Sequence, residues 1–249
     1  MTLELTVSPD FSPEHIAGWY VFNTWLQRKL GVRIHLELYE EFSTQRQAIA
    51  ADKVDLIYAN PYDAAMLVRE KGFVAIAAPQ GKADEVVIAV PVDSPAQTVE
   101  DLQPGLRLAV TRDPDVNLIG MILLESADLN RTNTQTHQVS TYVVLARNLL
   151  QGKADCGFFL KEAFDDLSAP IRKQLRPVMT SQISLVHHVL LVGPRCADLR
   201  ESLQTLVLGM AEPGSDGRAT LQALGLSGWD RQDQEDTEFM IDLMDTLMV

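Results

Sequence analysis

The sequence predicts an α/β protein whose parallel sheets are flanked by helices, and three observations carry that expectation. Strand-like and helix-like segments alternate from Leu3 to Lys71. The apolar run 54–59 then stops at Asn60-Pro61, where a helical pattern begins at once, so a buried strand opens onto a helix N-terminus. A second junction of the same kind follows where Leu108-Ala109-Val110-Thr111 runs into Asp113-Pro114-Asp115-Val116-Asn117. In open α/β sheets ligands sit beyond the carboxyl ends of the strands, so two such mouths, one in each half, point to a cleft.

The elements follow in order. Leu3 to Val7 alternates as a first strand. Ser12-Pro13-Glu14 offers an N-cap with proline at the first helical position, starting a helix that Gly31 stops after Leu30. Arg33 to Tyr39 alternates as a second strand, and Thr44-Gln45-Arg46-Gln47 has capping-box spacing for a short helix ending near Asp52. The strand 54–59 and a helix from Tyr62 to about Lys71 complete a pattern that implies parallel pairing with right-handed crossovers. Val74–Ala77 and Glu85–Pro91 read as strands, the latter a candidate for the crossing between lobes.

The pattern then restarts. Thr98 caps a short helix, Leu106–Thr111 is a strand, Asn117–Leu124 and Tyr142–Gln151 are helical, and Asp155–Leu160 is a strand. Ile183–Val192 makes the return crossing, and Ala197–Gly209 and Thr237–Met248 read as helices joined by the Gly- and Asp-rich stretch 212–217. Trp19, Tyr20 and Trp25 fall on an apolar helical stripe facing a sheet, as do Met240, Met244 and Met248, and Tyr58 belongs to the core. The acidic run Asp230–Glu238 reads as solvated surface.

Composition narrows the function. At 249 residues and 46% hydrophobic content the chain is long enough to bury a sizeable core. A net charge of −13 without a basic cluster repels a nucleic-acid backbone, so nucleic acid is not an expected partner. Cys156 and Cys196 lack metal-ligand spacing and read as inert buried thiols. The start of the chain lacks a basic segment followed by an apolar run, and no run approaches the ~20 residues that span a bilayer. A protein that is not embedded in a membrane is expected, cytoplasmic if Met1 is the native start and periplasmic if an export signal has been removed.

Ser8-Pro9-Asp10, the Lys53-Val54-Asp55 strand with Asn60-Pro61, Asp93-Ser94-Pro95 with Asp101-Leu102, and Gly152-Lys153-Ala154-Asp155 form a set of local patterns between residues 5 and about 195. Together they resemble the substrate-binding proteins of phosphate/phosphite/phosphonate ABC transporters. The resemblance implies a two-lobed type II periplasmic-binding fold, each lobe a mainly parallel sheet flanked by helices and joined by two hinge strands. It places lobe one at 1–88 plus 190–249 and lobe two at 89–189. Tyr39 resembles the family's ligand-facing tyrosine, and Glu162 falls where the family has a glutamate. The serine- and threonine-rich anion turn is replaced by Asp113-Pro114-Asp115-Val116-Asn117, a histidine by Tyr142, an aspartate by His187, and a second tyrosine region by Asp84-Glu85.

These replacements change what the site can hold. A carboxylate ~4 Å from a bound anion at an effective dielectric of ~20 opposes it by about 4 kcal/mol, more than the ~0.3–1 kcal/mol a helix end offers. Zwitterions, amines and metal-bound ligands become admissible, and Arg112 or a bound proton could still rescue an anion. The expected function is therefore a non-enzymatic solute-binding protein that closes on a small polar molecule, read by an ABC permease or a sensor kinase, without a cofactor or a resident metal. Its expected ligand-binding residues are Tyr39, Asn60, Tyr62, Glu85, Asp115, Asn117, Tyr142, Glu162 and His187. The tyrosines and Asn60 orient the ligand, and Glu85, Glu162 and Asp115 select a positive group.

Two readings of function stand beside it, and two pairs of residues admit more than one role. A cytoplasmic sensing module would use the same fold, and an enzyme on it would use Asp115, Glu162 and His187 as acid/base groups. His187-His188 invites a metal, but neighbours on a strand point to opposite faces, so one His at the cleft and one packed beneath is the simpler account. Asp113 and Asp115 form either a carboxylate pair or, as such turns more often do, a cap on the following helix.

Overall fold

A computed structural model describes residues 2–11 and 13–248, with side chains up to residue 246. The expected cap Ser12 and the side chain of Met248 lie outside the described residues.

The chain opens with β1 (Thr2–Val7) and, after a 3₁₀ turn at Pro13–His15, α1 (Ile16–Leu30). Gly31 ends α1 at φ +69°, a conformation that a side chain disfavours, and its amide closes onto the Gln27 carbonyl. β2 (Arg33–Leu38), α2 (Phe42–Ala50) and β3 (Leu56–Ala59) follow. The capping-box expectation at Thr44 fails, because α2 starts two residues earlier from an extended Glu41 that makes no side-chain cap, and Thr44 lies inside the helix. α3 (Pro61–Lys71) has Asn60 as its N-cap and proline in its first turn, and β4 (Val74–Pro79) returns to the sheet.

The next elements are β5 (Val86–Pro91), β6 (Arg107–Val110), α4 (Pro114–Leu124), β7 (Gln135–Gln138), α5 (Tyr142–Leu150), β8 (Cys156–Leu160), α6 (Lys161–Asp165), α7 (Ala169–Arg172) and β9 (Leu175–Thr180). The chain ends through β10 (Val189–Val192), α8 (Arg200–Leu208), α9 (Arg218–Ala223), β11 (Trp229–Arg231) and α10 (Gln234–Met248).

Two compact units result, residues 2–82 with 187–244, and 83–186 with the last residues from Asp245. The sequence boundaries at 88/89 and 189/190 fall inside β5 and β10, whereas the units part at 82/83 and 186/187. The crossing segments are not strands. Residues 80–85 and 181–188 carry no strand, and β5 and β10 belong wholly to the second and first sheets.

The first unit holds a six-stranded sheet in the order β11-β4-β10-β3-β1-β2. β1 pairs in parallel with β2 and β3, as the alternation predicted, while β10 inserts antiparallel between β3 and β4. The sheet is therefore mixed. All four residues of β3 are buried, which fits a strand covered on both faces. Leu3, Leu5 and Val7 alternate onto the face that packs on Trp19, Phe22 and Leu26 of α1, and the other face gathers Ile57, Ala59, Leu67 and Met240. Burying a ring such as Phe22 contributes about 1.5–3 kcal/mol. Tyr20 departs from the expected stripe and is exposed on α1, whereas Trp19 and Trp25 are buried.

The second unit has the order β7-β6-β8-β5-β9, with β6 parallel to β7 and β8, and β5 antiparallel to β8 and β9. Its core joins Leu145 and Leu149 of α5 to Val87, Ala109 and Phe159 of the sheet. No helix among the described residues is long and apolar enough to cross a membrane.

Candidate functional site

In the first unit, polar groups collect where β1 and β3 end side by side. Hydrogen bonding between the Ser8 amide and the Tyr58 carbonyl, at 2.8 Å, continues the parallel pairing one residue past β1. Asn60 is fully buried there. Its Oδ1 accepts from the Asp63 amide at 2.7 Å, capping α3, and its Nδ2 donates to Ser8 Oγ at 3.0 Å and to Asp63 Oδ2 at 3.2 Å. The buried Asp63 also accepts from Arg46 Nε at 2.6 Å and Nη2 at 3.2 Å, a bidentate pair. The Arg46 guanidinium lies over the rings of Phe42 and Tyr62, 5.5 and 5.1 Å from their centroids. Burial raises the Asp63 carboxyl above its usual range, with Asp10 adding to that, despite the opposing pull of Arg46 and Asn60.

On the other side of Ser8 stands Asp10, with His188. His188 Nε2 lies 3.1 Å from Asp10 Oδ1, and its ring stacks on Tyr58 at 5.0 Å, which in turn tilts against Trp19 at 5.0 Å. Burial acts to raise the Asp10 carboxyl, but the charge and hydrogen bond of His188, with Ser8 and the backbone of Asp10, outweigh it and hold the group below its usual range. Asp10 Oδ2 is buried without a hydrogen-bond partner among the described residues.

The expected residues of this unit separate. Asn60 is at the centre of the polar group, and Tyr62 is half-exposed in the first turn of α3 beneath Arg46. Tyr39 lies elsewhere, on a groove of about 620 Å³ over the β1–β2 surface with Glu4, Thr6, His35, Glu37 and Arg195. Burial raises its phenol, and the charges of Glu37 and Glu4 add to the rise. His187 directs Nδ1 to the His188 carbonyl at 3.1 Å, so the two histidines are not opposed across a strand; they precede β10. The metal reading of this pair loses its geometric basis, because His188 Nε2 serves Asp10.

In the second unit the site forms where β6 runs into α4. Asp113 caps α4, its Oδ1 accepting from the Val116 amide at 3.3 Å, and its Oδ2 accepts from the Tyr142 hydroxyl at 2.8 Å. The Thr111 carbonyl receives Asn117 Nδ2 at 2.9 Å and Gln138 Nε2 at 3.5 Å. Asn117 Oδ1 is buried with no partner among the described residues, and Asp115 is buried in the first turn of α4. The Tyr142 ring stacks on Phe159 at 6.0 Å. Asp115, Asn117 and Tyr142 are thus brought to one turn, and Asp113 acts as the cap the turn chemistry favoured.

Glu85 is committed to the chain itself. Its Oε2 accepts from the Ser181 hydroxyl and from the Ile183 amide at 3.1 Å, and its Oε1 from the Ser184 amide at 2.7 Å, fixing a turn in which Ser184 takes φ +60°. Ser181 Oγ accepts in turn from the Val86 amide at 2.8 Å. Glu162 is exposed at the start of α6, one residue from the Lys161 amide that donates to the Glu85 carbonyl. Sequence reasoning passed over Arg46, Asp63 and the pairing of Asp10 with His188. The spacing Asn60-x-x-Asp63 was a visible capping signal, while the Asp10–His188 contact joins residues too far apart in sequence to be paired on inspection.

Two α/β lobes with polar side chains at the carboxyl ends of their parallel strands are the architecture of type II periplasmic-binding proteins. By fold the chain resembles PhnD1 from Prochlorococcus marinus (MIT 9301) in complex with methylphosphonate, with a TM-score of 0.84 and 11% identity over 99% of this chain and 98% of that one. It also resembles a binding protein component of the ABC phosphonate transporter from Pseudomonas aeruginosa (TM-score 0.73, 15% identity, 98% and 87% covered). The aliphatic sulphonate binding protein SsuA from Escherichia coli is similar as well (TM-score 0.70, 15% identity, 99% and 91% covered). No curated protein sequence matches the chain. The model of the family described as ABC transporter, phosphonate, periplasmic substrate-binding protein matches residues 5–237, and the chain belongs to that family.

Proposed function

We propose that the protein is a non-enzymatic receptor that closes its two lobes on a small polar solute and presents the closed form to an ABC permease. The observation that carries this reading is the buried, hydrogen-bonded polar group at the ends of β1 and β3, placed where open α/β sheets hold ligands. Such a group orients a solute through preformed contacts. Tyr62 in the first lobe, and Asn117 and Tyr142 in the second, supply the neutral polar contacts, while Asn60, its Nδ2 spent on Ser8 and Asp63, holds the strand ends beneath them.

The ligand differs from a bare phosphonate dianion. The turn at the mouth of β6 carries Asp113 and Asp115 where the resemblance implied serine and threonine donors, and a carboxylate there opposes an anion. Methylphosphonate, the ligand of PhnD1, is thus a reference compound for this chain. Glu85 contributes to the shape of the site through the 181–184 turn.

Native mass spectrometry of the gently purified protein, followed by thermal-shift and scattering measurements across a metabolite panel that includes methylphosphonate, tests the proposal. A retained small-molecule mass, with a higher melting temperature and a smaller radius of gyration on rebinding, is the expected result. Turnover of the retained compound would favour the enzyme reading, and an unchanged radius and melting temperature with every compound would remove the receptor reading.

A further inference from the structure

Helix α1 is apolar on two sides. Its inner side sends Trp19, Phe22 and Leu26 into the core, while Ile16, Tyr20 and Val21 on the other side are 42%, 53% and 47% exposed. Residues four apart on a helix lie one above the other, so Ile16, Tyr20 and Thr24 form one outer row, with Ala17, Val21 and Arg28 along its flank. Other exposed large apolar side chains, such as Val92, Val143 and Phe239, stand singly in separate parts of the chain, which is ordinary for a protein surface. Three on one face of one helix form a patch of the kind that marks a contact surface.

The charges around the patch say what covers it. The chain carries 34 Asp and Glu residues and a net charge of −13, yet none of these acids lies between Glu14 and Glu37. Two copies of so acidic a chain repel one another, and least where α1 is bare of carboxylates. The patch is bounded by Glu14, just before α1, and by Arg28 in its last turn, both exposed and without an ion pair among the described residues. Lys29 beside it is already held by Asp216 at 2.9 Å. An antiparallel approach of two α1 helices, about a two-fold axis near Tyr20 and Val21, brings Glu14 of each copy to Arg28 of the other. A parallel approach sets like charges together. Ala17 and Thr24 are small, so the Tyr20 ring of a facing helix can settle between them. The 15 residues of α1 span about 22 Å, which puts this contact at the small end of specific interfaces, below about 1,200 Å² in total, and makes the pair weak and reversible.

We propose that the outer face of α1 is a self-association surface, on which two copies of the chain pair through an antiparallel two-fold contact. Tyr20 and Val21 form its centre, and Glu14–Arg28 pairs close its two ends. The contact lies within the first unit, and it goes beyond the receptor reading without depending on it.

Sedimentation velocity of the full chain from about 1 to 500 µM, the range over which weak interfaces fill, is the test. The weight-average mass is expected to rise with concentration from that of one chain towards that of two, and no further. Tyr20→Arg changes an exposed position outside the core and is expected to weaken pairing about tenfold or more. Glu14→Arg and Arg28→Glu should each weaken it about threefold or more, and the two together should return it to within about twofold of wild type. The wild-type series and the charge exchange stand on their own should Tyr20→Arg not fold. The mass of a single chain at every concentration, growth beyond two chains, pairing unchanged in folded Tyr20→Arg, or a double exchange that fails to recover what the single reversals lose would each overturn the inference. Flotation of a monomeric chain with phosphatidylglycerol vesicles would also overturn it, and would assign the face to a lipid surface.

Discussion

Asn60 Nδ2 donates to Ser8 Oγ at 3.0 Å, which ties the residue that follows β3 to the residue that follows the neighbouring strand β1. The same amide caps α3 through the Asp63 amide at 2.7 Å. One buried side chain therefore fixes two strand ends and a helix start. Asn60→Ala removes the cap, worth about 1 kcal/mol, and takes from buried Ser8 Oγ its Asn60 donor, at about 1–3 kcal/mol, while Asp63 keeps its pair with Arg46. The expected loss is about 2–4 kcal/mol, read as a lower urea midpoint at unchanged m-value. A loss below about 0.5 kcal/mol, the range of ordinary surface changes, would show that these contacts carry little of the fold.

The two carboxyls beside this amide respond to acid in opposite senses. Asp10 sits below the usual value of 3.8, so its contribution to stability is present above that pH and disappears as pH falls through its folded value. Asp63 sits above 3.8, so its contribution is full below that pH and is lost as pH rises through its folded value. Urea melts at several pH values should therefore show the advantage of wild type over Asp10→Asn growing as pH rises towards 3.8 and levelling above it. The advantage over Asp63→Asn should shrink as pH rises above about 4. Parallel curves for the two variants would contradict both assignments.

In the second unit, Tyr142→Phe deletes the 2.8 Å hydrogen bond to Asp113 Oδ2 while keeping the ring stacked on Phe159. A hydrogen bond to a charged group is worth about 1.5–3 kcal/mol, so a destabilisation near the lower end is expected for this half-buried hydroxyl. Double-mutant cycles with Asp113→Asn provide the check, with a coupling energy near zero counting against a functional link between the two side chains.

Both cysteines are buried and free. Burial, with the charge of Asp55 adding to it, pushes the Cys196 thiol up to about 11, and burial raises Cys156 further still, with Asp155 adding. The thiolate is the reactive form, so Ellman's reagent at about pH 8 should leave the native protein nearly unlabelled and titrate two thiols once urea unfolds it. Rapid labelling of one thiol in the native state would place it at the surface.

Gly18 is where α1 meets α9. A methyl group there would run into the Ala223 carbonyl and the Leu224 amide, which are backbone and cannot rotate away. Gly18→Ala improves helix propensity by about 1 kcal/mol in isolation, yet overpacking typically costs about 1–3 kcal/mol. Net destabilisation is expected in thermal melts, whereas Gly31→Ala, at φ +69° with open space around it, should lose stability through backbone strain alone.

Much of the architecture was legible because it rests on local patterns. Asn60-Pro61 and Asp113-Pro114 are caps with proline in the first turn, and both helices start there. What the sequence hid is set by distant partners. β9 and the three-residue β11 are strands made by pairing with β5 and β4, and the return segment expected from Ile183 starts instead as a turn whose Ile183 and Ser184 amides are taken by the Glu85 carboxylate. The site followed the same division. Asn60 and the Asp113 cap were visible as turn chemistry, but Glu85 became a turn clamp and Tyr39 turned onto a separate groove through contacts across the chain. Asp10 was quoted only as part of a motif, because its meaning depends on His188.

The Asp84 amide donates to the Val186 carbonyl at 2.7 Å, so the inserted segment leaves and rejoins the rest of the chain almost at one point. A polypeptide with adjacent ends can be excised as a cassette. Residues 83–186 are thus suited to expression as a stand-alone fragment, and a short glycine-serine splice from Lys82 to His187 should leave the remaining six-stranded body with its own uninterrupted hydrogen-bond ladder.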